Sequence, residues 1–263
     1  MDASIKPLNT MSDEELLKIK MVVFDVDGVI IPKGTKLKEN EDGTMFHMET
    51  HKLSPEFVSN LIKLKKYVKI SFSSGRNLLY LRTLTKDIYD KSVILQAENC
   101  AMIFINGEIM QPEFPANYFE ATNRLRNLVI KNATALKLRG FEPKIFNMAV
   151  HMESENELIY DLVKQADPDG VIYCIWTGEA YDVGLKGISK GSGLDLLAKR
   201  LGLSRDEIIT TGNALNDKEM LEYGVGVTVE PNVVRGKYMT SGNGLGGHEL
   251  ANFLVDKLES LKG

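Results

Sequence analysis

Cysteine and tryptophan are scarce in this chain, whose 263 residues hold two cysteines, Cys100 and Cys174, and one tryptophan, Trp176. Two cysteines this far apart, without metal-ligand spacing, exclude a disulfide framework and make the reduced cytoplasm the expected location. Long hydrophobic runs are missing as well. Nothing approaches the 18 or so consecutive apolar residues of a membrane helix, and the stretch MDASIKPLNTMSDEELLKIK has no apolar segment of signal-peptide kind. No membrane partner and no export are therefore expected. Positive charge is not in excess: 32 Lys and Arg against 36 Asp and Glu leave a net charge of −4, unlike an electrostatic binder of nucleic acid. No GxxxxGK(S/T) phosphate loop occurs, which argues against an ATP-driven kinase. What is there is ordinary globular composition, 43% hydrophobic and 26% charged, enough for one large domain or a core with an insertion. Small-molecule partners are favoured. Nothing sets the oligomeric state, and a homo-oligomer is left open.

The most informative stretch is MVVFDVDGVI, residues 21–30, an apolar strand running into two carboxylates, Asp25 and Asp27, and then Gly28. Side chains two apart on an extended segment share a face, so both acids point into one site at the strand's carboxyl end, where open α/β sheets bind ligands. One acid can serve as nucleophile and magnesium ligand while its neighbour moves protons, the division of labour of phosphoryl transfer through an aspartyl-phosphate. A solvated Asp-Gly turn is the bland alternative for this motif taken alone.

Ser12 and Glu15 form a capping-box pattern before the strand Met21–Asp25. Lys36–Asn40 and Thr44–Thr50 around Glu41-Asp42-Gly43 read as a β-hairpin beside the carboxylate pair, a candidate flap spanning 33–53. Ser54-Pro55-Glu56 opens a helix whose apolar stripe is Phe57, Val58, Leu61, Ile62 and Leu64. Val68–Ser73 is a second strand, ended by Ser73-Ser74-Gly75-Arg76 before a helix near Leu78. Val93–Leu95 is a third, and Ala101–Met110 a hairpin about Asn106-Gly107. This alternation predicts an α/β fold, a Rossmann-like parallel sheet. From Pro112 the pattern changes to a long helix from about Asn117 to Arg139, a strand around Lys144–Met152, a helix at Asn156–Gln165, and strands Val171–Trp176 and Tyr181–Leu185. The expected division is a first core part at 1–111 including the hairpin, an inserted α+β cap at 112–184, and a second core part at 185–263. In the last of these, a helix closed by Gly202, a strand Ile208–Thr211, a helix Lys218–Tyr223, a strand Val225–Val229 and a helix His248–Leu261 resume the alternation.

Four polar clusters thus follow strands of one sheet: Asp25/Asp27, Ser74, Lys190 and Asn213/Asn216/Asp217. Transfer of a phosphoryl group needs a nucleophile, a hydroxyl or amide donor, a cation against the developing charge and acidic ligands for magnesium, and these residue types supply each. Each cluster alone reads as a helix cap or a surface lysine; together, in this order, they point to a magnesium-phosphate site. Arg76 is a candidate for a substrate anion, because a guanidinium binds phosphate or carboxylate through two parallel hydrogen bonds.

FDVDGV, SSGR, the lysine of ISKGSGL and GNALND resemble motifs one to four of the haloacid dehalogenase superfamily of phosphatases. ENCAMIFINGE and the position of the insertion resemble its Cof-type branch. The resemblance implies a Rossmann-like core with a mobile cap and a small phosphorylated metabolite as substrate: a sugar phosphate, a sugar-acid phosphate or a phosphoglycolate-like compound. It implies Asp25 as nucleophile and Asp27 as general acid and base with its main-chain carbonyl on magnesium. It also implies Ser74, Gly75, Arg76, Lys190 and Asn216 on the phosphate, and Asn213 and Asp217 completing the metal site. Two rival readings are a phosphomutase or phosphotransferase using the same intermediate, against which SSGR speaks, and a catalytically silent binding protein.

The silent reading is motivated by Asn213, where the resembling proteins usually carry an acid. An amide oxygen still suits magnesium but removes one negative charge, so weaker metal binding or slower turnover is expected. Whether Asp217 compensates, or the site is attenuated by nature or by engineering, is open at this stage. The hairpin carries His47 and His51, which read as exposed surface residues. Lys144, His151, Glu153 and Trp176 lie on cap strands as secondary candidates, and Asn99 is a weaker one. Gly242, Gly244 and Gly247 satisfy GxGxxG, yet no βαβ unit with a later acid follows, so a loop near the sheet's end is expected instead of a dinucleotide site.

Overall fold

The computed structural model describes residues 4–34, 36–39, 45–178 and 180–262 and divides into two compact units. The first combines residues on both sides of the insertion, and the second is made of residues 112–188 together with the hairpin. Among the described residues no helix is long and apolar enough to cross a membrane.

In the first unit, the described residues form a nine-stranded sheet in the order Lys6–Pro7, Tyr238–Met239, Val225–Thr228, Ile208–Gly212, Met21–Asp25, Lys69–Ser73, Val93–Ala97, Met102–Ile105 and Glu108–Met110. The first seven pair in parallel, and the last two return antiparallel through Asn106 and Gly107, both at positive φ. All five residues of Met21–Asp25 are buried, as expected of a central strand covered on both faces. Met21 and Val23 pack with Leu194, Leu197 and Ala198 of the helix Lys190–Leu201, while Phe24 meets Phe57 edge-on at 5.6 Å. From Met21–Asp25 the chain builds outward to one side, then returns to build the other side with Ile208–Gly212. The strand order therefore reverses between these two neighbours, the kind of position at whose carboxyl ends open α/β sheets bind ligands.

Local signals in the sequence explain the ends of the elements. Ser12 and Glu15 exchange the two hydrogen bonds of a capping box at the helix Asp13–Lys18. Ser54 accepts from the Phe57 amide with Pro55 in the first turn of Pro55–Leu64, though Ile62, expected in the core stripe, is exposed. Gly202, at φ 65°, closes Lys190–Leu201. The two-residue strands Lys6–Pro7, at the sheet edge, and Tyr238–Met239, next to it, are too short to leave a periodic pattern.

In the second unit, an antiparallel sheet runs Ile172–Trp176, Ala180–Leu185, Met148–Met152, Leu138–Glu142. The helices Ala116–Lys131 and Leu158–Ala166 share one core with it, built from Tyr118, Leu125, Val129, Phe141, Val150, Ile159 and Tyr181. The long helix expected to reach Arg139 stops at Lys131 instead. Asn132 turns its side chain back onto the Leu128 carbonyl at 2.8 Å, and Lys137 takes a left-handed conformation, φ 51°. Leu138–Glu142 then continues as a strand, which the sequence reading merged into the helix. The hairpin strands Lys36–Glu39 and Phe46–Glu49 pair as expected but group with this unit and run beside Leu138–Glu142. This corrects their assignment to the core. The turn at 41–43 lies outside the described residues.

Candidate active site

The carboxyl ends of three adjacent strands assemble the site. Asp25 is the last residue of its strand and is buried. The chain then turns sharply, the Val26 carbonyl accepting from the amides of Val29, Ile30 and Ile31. Gly28 sits at φ 81°, and a β-carbon there would come within 2.3 Å of the Asn213 amide nitrogen. Glycine is thus required both for the turn and for the approach of the fourth-motif loop.

Lys190, wholly buried at the start of its helix, lies between two acids. Its Nζ donates to Asp25 Oδ1 at 2.6 Å and to Asp217 Oδ1 at 2.5 Å. The other Asp217 oxygen accepts from the main-chain amides of Asn213 at 2.9 Å and Ala214 at 3.0 Å. Both oxygens of Asp217 are therefore committed to holding the lysine and the loop. Asp217, expected among the metal ligands, thus holds the lysine and the fourth-motif loop in place. Gly212 makes this possible, since a β-carbon there would fall 2.5 Å from that of Asp217.

Two carboxylates share one ammonium in a desolvated place. Burial and then the Asp217 charge push the Asp25 carboxyl up to about 7, against the pull of Lys190. Burial draws the Lys190 ammonium down, but Asp217 and Asp25 outweigh it and hold it above the usual lysine range.

Asp27 is partly exposed and gripped by Arg76, Nε to Oδ2 at 3.2 Å and a terminal nitrogen to Oδ1 at 3.3 Å. Arg76, expected on a substrate anion, here orients the neighbouring acid. Ser74 follows the strand Lys69–Ser73, its Oγ accepting from the Arg76 amide at 3.2 Å. Its main chain is held by the Gln96 carbonyl and the Asn99 amide. Asn216 lies exposed on the turn Leu215–Asp217, outside the bonded cluster.

One supporting element escaped the sequence reading. Glu98, Asn99 and Cys100 all have positive φ, between 54° and 69°, a conformation costly for residues with side chains. This turn donates Glu98 N to the Arg76 carbonyl and Asn99 N to the Ser74 carbonyl. Cys100 Sγ reaches the Lys190 carbonyl at 3.7 Å, its thiol pushed up to about 12 by burial. The turn thus braces the second and third motifs together. In the sequence it is the start of ENCAMIFINGE, of which Asn99 was the residue singled out.

The glycine triplet 242–247 has a structural role at its last member: Gly247 N donates to the Val29 carbonyl at 2.9 Å, and a β-carbon would meet Ile30 at 2.6 Å. His47 is exposed and bonds Glu49, and His51 is exposed. On the second unit, Lys144 reaches Asp182 at 3.3 Å and Glu142 at 3.7 Å, and His151 stands 3.8 Å from Glu142. Glu153 is exposed, and Trp176 packs on Tyr181. Glu142 and Asp182 were not anticipated, because only the strand register brings them beside Ala149 on one face.

A divalent cation would find oxygen donors of the right kind here: the Asp25 carboxylate, the Asp27 main-chain carbonyl and the Asn213 side-chain oxygen. Magnesium prefers such hard donors and commonly takes only one or two carboxylates, with phosphate and water completing its octahedron. Among the described residues no three His, Cys, Asp or Glu side chains converge on a metal position. The residues fit magnesium in donor type, one charge short.

Comparison with known proteins agrees with this geometry. Residues 142–231 match the family model described as haloacid dehalogenase-like hydrolase. The chain is similar to a phosphoglycolate phosphatase of Methanopyrus kandleri, 23% identical over 212 residues covering 79% of this chain and 82% of that one. Among solved structures, a trehalose-6-phosphate phosphatase related protein superposes with a TM-score of 0.66 at 13% identity, over 93% of this chain and 100% of that one. A haloacid dehalogenase-like hydrolase from Bacteroides thetaiotaomicron does so with a TM-score of 0.63 at 16% identity, over 90% and 99%. The match over residues 142–231 and the superpositions make this chain similar to the haloacid dehalogenase-like hydrolases, in sequence over that segment and in fold over most of its length.

Proposed function

We propose that this chain is a magnesium-dependent phosphomonoesterase acting on a small phosphorylated metabolite through an aspartyl-phosphate. The observation that carries the reading is the bridge Asp25–Lys190–Asp217, set beside an Asp27 that Arg76 orients. An Asp25 oxygen attacks phosphorus as the bond from phosphorus to the leaving oxygen breaks, and Asp27 gives that oxygen its proton. Asp27 then takes a proton from water, whose oxygen attacks phosphorus, and Asp25 leaves as a carboxylate with inorganic phosphate released. Lys190 and the Ser74 hydroxyl bear the charge of the phosphoryl oxygens. Magnesium, held by Asp25, the Asp27 carbonyl and Asn213, would supply further charge neutralisation. The names of the relatives, a phosphoglycolate phosphatase and a protein related to a sugar-phosphate phosphatase, support a compact phosphorylated substrate.

The test is a phosphate-release screen over phosphorylated sugars, sugar acids and hydroxy acids, with magnesium and with a chelator. Release that depends on the cation and falls by at least about 10³-fold in Asp25→Asn is expected. Absence of release in every condition sinks the assignment. The amide at position 213 favours a second reading, a phosphometabolite-binding protein without turnover, which saturable binding with no release would select.

A further inference from the structure

In the structure, two of the oxygens a cation would use, the Asp27 main-chain carbonyl and Asp25 Oδ1, already face protein donors. Asn213 Nδ2 donates to the Asp27 main-chain carbonyl at 3.2 Å. Only the amide nitrogen can face that carbonyl, since turning the amide over would bring two acceptors together. To offer its oxygen to a metal, the side chain must break this bond and rotate. Asp25 Oδ1 is meanwhile held by Lys190, and both Asp217 oxygens are occupied.

We propose that Asn213 closes the cation position in the phosphate-free protein, so that magnesium and the phosphoryl group enter as a coupled pair. This rests on the phosphatase reading of the same site and concerns the order in which it fills. A phosphoryl dianion adds two negative charges and draws on the donors of Lys190. It also brings its own oxygens as metal ligands, replacing the carboxylate that position 213 lacks. An aspartate at 213 would act in the opposite sense. Its carboxylate would stand against the Asp27 carbonyl with no proton between them, and a cation would relieve the repulsion.

The experiment is calorimetric titration of magnesium into the metal-stripped full chain, with and without inorganic phosphate, repeated on Asn213→Asp. In the wild-type chain, phosphate is expected to tighten magnesium about tenfold or more, and magnesium to tighten phosphate by the same factor, as linkage demands. Asn213→Asp is expected to bind magnesium without phosphate and to show much weaker coupling. Equal magnesium affinity with and without phosphate in the wild-type chain overturns the proposal. So does magnesium binding in neither condition, or an unchanged phosphate requirement in a folded Asn213→Asp. Should that variant misfold, the wild-type arms decide alone. Coupled binding in a chain that releases no phosphate from any ester would sink the phosphatase reading and leave this one standing; turnover with uncoupled binding would do the reverse.

Discussion

Arg76 spends its guanidinium on Asp27, and both hydrogen bonds of that pair have the parallel fork that only arginine can make. The consequence is orientational: on the proposed phosphatase reading, the acid that gives a proton and later takes one back is held at a fixed angle to Asp25. Arg76→Lys keeps the charge but loses the fork, so kcat is expected to fall about 10²-fold with KM within a few-fold. Steady-state kinetics on any accepted ester checks this, and an unchanged kcat would assign Arg76 to mere charge balance. Neighbouring residues divide the sequence's legibility in an instructive way. Asp25, Asp27 and Ser74 were legible as a group because polar side chains where buried strands end have few structural uses, and Lys190 because it opens a helix otherwise read as core. The role of Asp217 was not, because it depends on which donors surround each of its oxygens, and a linear motif does not record that.

Among the elements, the short helix Asp13–Lys18 is fastened to the sheet edge by one side chain. Glu15 closes the capping box with Ser12, accepts from Lys237 at 2.5 Å and accepts from the Tyr238 hydroxyl at 2.8 Å. Its burial opposes ionisation, but these bonds prevail and lower the carboxyl from 4.5 to about 2. A depressed acid contributes stability that is present above the unfolded value and lost as pH falls through the folded one. Between about pH 4.5 and 2 the chain should therefore lose stability that Glu15→Gln never had. That variant is expected to cost about 1–2 kcal/mol at neutral pH, discounted for partial exposure, and to flatten the acid limb. Urea melts across that range measure both. The capping box was visible in the sequence, whereas its tie to Lys237 and Tyr238 was not, since the partner strand is two residues long. The same limit acted at Asn132: the apolar spacing continues past it, and only its side chain turning onto Leu128 ends the helix. Local pattern predicts regular runs well and misses ends decided by a single polar bond.

On the scale of the whole molecule, the two stretches that flank the insertion are joined by a buried charge. Lys190 comes from the second stretch, and it neutralises Asp25 from the first and Asp217 from the second. Lys190→Met would leave two buried carboxylates facing each other, and a loss of about 3–5 kcal/mol is expected in denaturant melts. A near-neutral result would mean that the acids take up protons at little cost. The alternation of strands and helices made the parallel core legible from the sequence. The company kept by the 36–49 hairpin was not legible, because nothing in the hairpin's own pattern names the sheet it runs beside. The bridge also has a history in time. Asp25 and Lys190 are 165 positions apart, so at about 5–20 residues per second the acid is synthesised roughly eight to thirty-three seconds before its counter-ion. Throughout that interval the centre strand has no lysine for its terminal charge, and the site waits for the second half of the chain before its central ion pair can form.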